Sequence, residues 1–528
     1  MGGNYEKGIY NQLMEQIEIN KKLVGENKGL RAEITALKAE NKRLYERITK
    51  LEASADEKIA LYVIEAVKQA TEPLIIELNK AHTEIARLKA IINKDSSNSS
   101  KPPSSNGLKV IPNSREQSKR PQGGQKGHKG HRLALPENMD KLEKQGIVER
   151  RVVDHTGGEG SYVSKYTIDL EMKVIVTEHR FIEGEVPEDF NNEVSYGNNI
   201  KAQAVLLMNE GIVAHKRLSG IFSGLTHNIV NLSTGTMNKF QSDFADQLIE
   251  TGELSKIEKD LLNGYIMNTD DTPMKVLERP IYSENEEESN EVTYERAKNK
   301  SLSSTVRTHS NEQSTLYTVN PKKDIKGIER DGILPKYMGI LCHDHEAKFF
   351  NYGVENAACG THLARDLKGL SDSYNCQWAL EVRRFVLDMN DHKNNDVAVG
   401  IGSCDPAKLS EFEAMYDQHL VKGWDKLGQM EAGTWGQKEF NAMLKRLTAS
   451  KDNYMLFVRD YKVPFTNNLA ERDLRSGKTK EKVSGLFRSW KGIEDYTKIG
   501  SFISTLKKRG KDLFRSIKKV MESEPVLT

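Results

Sequence analysis

Cysteine is scarce in this chain: four in 528 residues, Cys342, Cys359, Cys376 and Cys404, with no Cys-x-x-Cys pair. That argues against a disulfide framework and a sequence-local zinc knuckle, and it fits a reduced cytoplasmic setting. Long hydrophobic runs are missing too. No stretch approaches the ~20 apolar residues that a helix needs to cross a bilayer, and the polar N-terminus has no apolar signal core. The expectation is a cytoplasmic, nucleoid-associated protein without a membrane partner. Nor is there a large net charge, only +2 overall. That average hides basic segments at 94–132 and 472–519 and an acidic run at 284–291, and local basic patches are what attract a polyanion. With 37% hydrophobic and 29% charged residues, the chain is too long for one core and is expected to be multidomain α/β.

What is present begins with a heptad. Leu23, Leu30, Leu37, Leu44 and Leu51 recur at every seventh residue, with Asn27, Ile34, Asn41 and Ile48 four residues after a leucine. Leucine at d with asparagine at some a positions favours a two-stranded parallel coil. Opposite charges would meet across it at Glu26–Arg31, Glu33–Lys38 and Arg47–Glu52. Residues 1–95 are therefore expected to be a coiled-coil dimerisation region forming a homodimer. A long amphipathic helix packed on its own chain would show the same stripe. A second helical run carries Leu74, Leu78, Ile85, Leu88 and Ile92, with Pro73 separating the two helices or kinking one.

Residues 96–145 read as a basic flexible linker. The segment SSNSSKPPSSNG leads into GGQKGHKGHR, whose Lys126, Lys129 and Arg132 can follow a phosphate backbone. His128 and His131 have no further metal ligands near them. At 146–192, β-branched and polar residues alternate, which predicts a small antiparallel β element. Residues 193–258 read as helical, with a capped helix starting near Ser233. Two short helices around a glycine-bearing turn fit a helix-turn-helix or a generic helical bundle equally well.

The chemistry-bearing residues follow. NTDDTPMKV reads as a buried strand ending in Asp270 and Asp271 and closed by Thr272-Pro273. In GILCHDHEAKFF, apolar Ile340, Leu341 and Cys342 deliver Asp344 to a strand end, and alternation turns His343 and His345 away from it. VPFTNNLAERDLR places Glu471 in the first turn of a helix with Asn468 as N-cap. Singly, Asp271 reads equally as a turn residue, Asp344 as a helix cap and Glu471 as a partner of Arg475. Together, one carboxylate from each of two strand ends and a helix is what two divalent cations need for in-line phosphoryl displacement.

In order, NTDDTPMKV, GILCHDHEAKFFNYG, CGTHLARDLKGL and FTNNLAERDLR resemble the motif blocks of the insertion-sequence 66 family transposases. The linker motifs, YGNNIKA and LSTGT do so as well, so the resemblance runs from about residue 94 to about residue 492. It implies an RNase H-like catalytic core over 259–500, with a helical insertion at about 360–462; residues 501–528, beyond the resemblance, are expected to be a basic C-terminal helix or tail. The triad implied is Asp270, Asp344 and Glu471, holding two Mg²⁺ ions for which Mn²⁺ could substitute. Asp271 stands where the family usually has Glu. Asp271, His362, Arg365, Asn468 and Arg475 are expected to support the site. Arg472, Lys478, Lys480, Lys482 and Arg488 are expected to hold DNA. The implied activity is hydrolysis at insertion-sequence ends followed by strand transfer into target DNA, with element-encoded accessory proteins as further partners. An RNase H-like nuclease that never joins ends, and a coiled-coil DNA-binding protein with a retired core, are the alternatives. Two departures stand out. No cysteine lies between Asp154 and Phe190, where the family commonly has a zinc-binding element, so no zinc is expected there. Thr466 replaces a usual Asp and can still cap the helix.

Overall fold

The computed structural model describes residues 2–52, 57–93, 135–155, 161, 163–182, 185–187, 190, 192–282, 293–298 and 301–527. Two long helices open the chain, α1 (Gly2–Glu52) and α2 (Glu57–Asn93). The heptad seam of α1 is covered within the chain: α2 packs along it, Ile34 is buried, and Leu30, Leu37 and Leu44 are half-buried. Pro73 lies inside α2, so it does not separate the two helices. The far end of α2 buries Ile85 and Leu88 and packs against two later helices, Gly360–Tyr374 and Trp435–Ala449. Lys126, Lys129 and Arg132 lie outside the described residues.

After a short helix, α3 (Met139–Lys144), the expected β element does not appear: among the described residues of 146–192 no strand forms. Val152, Val163, Leu170 and Val176 are all more than 80% exposed. Alternation assigns side chains to faces, but a strand also needs a neighbour for its backbone groups, and among the described residues no strand pairs with this segment.

Four helices follow, α4 (Asn198–Asn209), α5 (His215–Leu225), α6 (Thr234–Glu250) and α7 (Glu253–Leu262). Ser233 caps α6 as its sequence suggests, its side chain accepting from the Thr236 N–H at 3.0 Å. The α5–α6 connection contains no glycine; His227 and Asn228 take the left-handed conformation there, with φ of 50° and 64°.

The sheet is built from β1 (Ile266–Val276), β4 (Leu302–Ser310), β5 (Thr315–Asn320), β6 (Ile340–His343) and β7 (Glu355–Ala358). Its order is β5-β4-β1-β6-β7; β4 lies antiparallel to both β1 and β5, while β6 runs parallel to both β1 and β7. A separate ribbon pairs β2 (Glu278–Ile281) with β3 (Thr293–Arg296), and α8 (Ile325–Asp331) follows β5. The two aspartates do not end β1, which runs on through Pro273 to Val276. This is tolerated because β6 leaves β1 after Asn268. The Lys275 N–H points away from β4, to the Glu481 carboxylate, and so would any N–H at position 273.

Beyond β7 the chain is helical: α9 (Gly360–Tyr374), α10 (Gln377–Ala398), α11 (Pro406–Gly428), α12 (Trp435–Ala449) and α13 (Lys451–Arg459), then α14 (Asn468–Ser484), α15 (Trp490–Lys508) and α16 (Leu513–Met521). The sheet is covered on both faces. Met267 and Leu341 share a core with α4–α7, α15 and α16, whereas Ile340 and Cys342 face the core of α9–α13. Residue 258 lies inside α7 and residue 500 inside α15, and α16 buries Ile517 and Val520 in the first of these cores.

Candidate active site

The central strand β1 sends Asp270 and Asp271 to opposite faces of the sheet, because successive side chains on a strand alternate. Their surroundings differ completely. Asp271 is wholly buried and ion-paired with Arg307, Nε to Oδ1 at 2.8 Å, and with the Lys348 ammonium. Arg307 also pairs with Asp331, and Lys348 with Glu346 at 3.2 Å. Burial alone would raise the Asp271 carboxyl, but Arg307 and Lys348 outweigh it and hold it below its ordinary value. Two cations already occupy this carboxylate, so Asp271 is a structural anchor.

Asp270 has no lysine or arginine partner among the described residues; its Oδ1 accepts only the backbone N–H of Asp271, at 2.8 Å. Burial pushes its carboxyl up to about 7, with the Asp344 charge next in weight and Asp271 and Glu471 adding to it. These influences also report proximity. β1 and β6 run parallel with Asn268 beside Cys342, so two residues further on Asp270 comes beside Asp344, just past the end of β6. Glu471 arrives from the first turn of α14. Three carboxylates therefore converge, and among the described residues none of them is ion-paired with a lysine or arginine.

Asn467 holds this geometry, although the sequence pattern points to its neighbour Asn468. Asn467 is the N-cap residue of α14 and is completely buried, while Asn468 is the first helical residue and is exposed. The Asn467 side chain makes no capping bond. Its Nδ2 donates to the Thr269 carbonyl at 2.8 Å, and its Oδ1 accepts from Asn268 Nδ2 at 2.9 Å. The start of α14 is thus clamped to β1 beside Asp270. Thr466 Oγ1 accepts the Asn468 N–H at 3.4 Å, a long version of the cap expected from that threonine.

The remaining expected site residues divide. His362 lies in the first turn of α9 with Nδ1 3.7 Å from Glu471 Oε1. Burial pulls its imidazole down, but Cys359 and Glu471 outweigh that and push it up to about 9. Arg365 is half-buried one turn further on. Arg475 is exposed and makes no ion pair with Glu471 among the described residues. Of the expected DNA contacts, Arg472, Lys482 and Arg488 are exposed. Lys480 is not available: only 8% exposed, it donates to the Met208 carbonyl at 3.0 Å and ties α14 to α4. Lys478 is half-buried and donates to the Pro273 carbonyl.

His343 and His345 are packing residues. His343 Nε2 meets Asn356 Oδ1 at 3.1 Å; His345 Nε2 meets Ser450 Oγ at 3.0 Å, and its ring stacks on Tyr454. Burial pulls both imidazoles down to about 4.

A family model described as Transposase IS66 family matches residues 193–495, over half of the chain. A second model, for a family of unknown function (DUF6444), matches residues 60–134. Neither the curated proteins nor the solved structures contain a match. Among the described residues, no helix is long and apolar enough to cross a membrane.

Proposed function

Since this chain belongs to the IS66 family of transposases, we propose that it cuts the ends of an insertion sequence and joins them to target DNA with a DDE triad of Asp270, Asp344 and Glu471. The observation that carries this reading is the contrast within the Asp-Asp pair: Asp271 is neutralised by Arg307 and Lys348, while Asp270 faces only other acids. The antiparallel β5-β4-β1 half and parallel β6-β7 half of the sheet support an RNase H-like core, with α9–α13 as its helical insertion.

The three carboxylates fit two Mg²⁺ ions, or Mn²⁺ in their place: they are hard oxygen donors that repel one another, and Asp270 has no lysine or arginine partner among the described residues. When bound, such ions stabilise charge on the attacking and leaving oxygens of an in-line displacement. The chain's own residues position the rest. Asn467 fixes Glu471 against β1, and the Asp271–Arg307–Lys348 cluster fixes the strand that carries Asp270. Arg472, Lys482 and Arg488 bind phosphates beside the cut. Water cleaves the phosphodiester and frees a 3′-hydroxyl, which then attacks target DNA. No covalent protein–DNA bond is required. Pairing of two chains through α1 would bring two ends together, with Leu23, Asn27 and their heptad successors exchanging α2 for a partner helix or sharing both.

A cleavage assay in Mg²⁺ on DNA carrying the element's own end tests this, with wild type beside Glu471→Gln. Nicking at the end by wild type alone, followed by strand-transfer products, is the expected result. Nicking without joined products would reduce the enzyme to a nuclease, and equal nicking by both proteins would remove Glu471 from the triad.

A further inference from the structure

Cys359, Gly360 and His362 begin the first helix after the sheet, and neither the carboxylate triad nor the DNA-binding residues explain them. Cys359 is the N-cap residue of α9 and His362 sits three positions on, so helical geometry turns both to one face. Glu471, in the first turn of α14, meets that face. A Cys359 sulfur, a His362 ring nitrogen and a Glu471 carboxylate oxygen all lie within 4.8 Å of one another.

Two observations show that this cluster is incomplete by itself. His362 Nδ1 and Glu471 Oε1 are both shut off from solvent and have no hydrogen-bond partner. Their separation, 3.7 Å, is too long for a hydrogen bond between them. Buried polar atoms are costly to leave unpaired, and a ligand between them removes that cost. Cys359 is 1% exposed; its sulfur accepts the Asn467 N–H at 3.2 Å, a contact that fixes its direction.

We propose that Cys359, His362 and Glu471 form a second metal site, for one zinc-class divalent ion, that shares Glu471 with the acidic triad. The donor set decides the class of ion. A thiolate and an imidazole select zinc or cobalt(II) over magnesium, which takes hard oxygen donors and dehydrates reluctantly. Three protein ligands leave a fourth tetrahedral position for water. The ion joins α9, the start of the helical insertion, to α14, the helix that carries Glu471. Binding of the ion rests only on these three side chains. Its consequence rests on the transposase reading: Glu471 held in this site is drawn away from Asp270 and Asp344, so zinc inhibits cleavage in Mg²⁺.

The test is a cobalt(II) titration of the full-length, chelator-stripped protein in excess Mg²⁺. The expected result is a near-ultraviolet thiolate-to-cobalt charge-transfer band that saturates at one equivalent per chain and is bleached by added Zn²⁺. Cys359→Ser should abolish the band, Asp344→Asn should keep it, and His362→Gln should weaken cobalt binding about tenfold or more. No band in wild type overturns the proposal, even if every variant misfolds. A band that survives Cys359→Ser also overturns it, by assigning the sulfur to another cysteine. Absence of cleavage in Mg²⁺ would count against the triad reading and leave the band as it is.

Discussion

The two faces of the sheet at β1 use the same residue type for opposite purposes. On one face Asp271 is sealed among Arg307, Lys348 and, through Arg307, Asp331; on the other Asp270 meets Asp344 and Glu471 and, among the described residues, pairs with no lysine or arginine. A buried acid with its cation already supplied stabilises a fold, provided both partners stay. A buried acid crowded by other acids stores repulsion that a proton or a bound cation relieves. Neighbouring carboxylates one residue apart can thus be told apart by their counter-charges, which the strand's alternation assigns to different faces.

The largest effect that would sharpen this contrast is catalytic. Asp270→Asn should lower Mg²⁺-dependent cleavage by roughly a thousandfold, since metal stabilisation of the transition state is worth several kcal/mol and each 1.4 is tenfold. DNA binding by gel shift should persist, and the melting temperature should hold or rise as like-charge crowding is relieved. Next comes Asp271→Asn, which removes the buried carboxylate that joins Arg307 to Lys348 and leaves the pair with only Asp331 and Glu346. It should cost about 3–5 kcal/mol of stability in urea unfolding, and equal stability to wild type would show that the cluster is not an anchor.

Removal of the Asn467 clamp is smaller. Asn467→Ala leaves the Thr269 carbonyl and the Asn268 amide unpaired and should cost about 2–4 kcal/mol, with cleavage falling further than the folded fraction does. Smaller again is the contribution of single cations to DNA binding. Lys482→Ala should reduce the slope of log affinity against log salt by about one, whereas Lys480→Met should leave it unchanged.

The smallest effect at neutral pH concerns His309, on β4 beside Thr269. It is fully buried, and burial pulls its imidazole down to about 3 from an ordinary 6.5. The native state therefore stays neutral while the unfolded chain takes up a proton below 6.5. Stability from this residue is complete above that value and is lost progressively as pH falls towards 3. Between pH 6.5 and 5.5 the loss should be about 1 kcal/mol, and His309→Gln should flatten the pH dependence of unfolding by that amount.

Some of this was legible in the sequence and some was not, for identifiable reasons. Asp270, Asp344 and Glu471 could be chosen because ordered motifs bracket them and because apolar Ile340-Leu341-Cys342 reads as a buried strand. The partners of Asp271 could not: Arg307 and Lys348 are 36 and 77 residues away along the chain. The basic run past Glu471 points to Lys480 as a DNA contact only while the run is weighed as a whole. The helical stripe Ala470, Leu474, Gly477 and Lys480, all buried in α14, places that lysine inward. Cys359 and His362 had a usable signal in their three-residue spacing, but Glu471, the third member, lies on another helix. The segment at 146–192 shows the reverse failure, since alternation was present and a strand partner was not. The heptad of α1 is ambiguous on physical grounds, because α2 and a second chain offer the same apolar surface.

The most direct measurement compares Asp270→Asn and Asp271→Asn side by side, scoring Mg²⁺-dependent end cleavage per folded molecule, with folded fraction from circular dichroism. The account predicts that Asp270→Asn is well folded and inactive, while Asp271→Asn is destabilised but its folded fraction still cuts. A well-folded, inactive Asp271→Asn beside an active Asp270→Asn would contradict it.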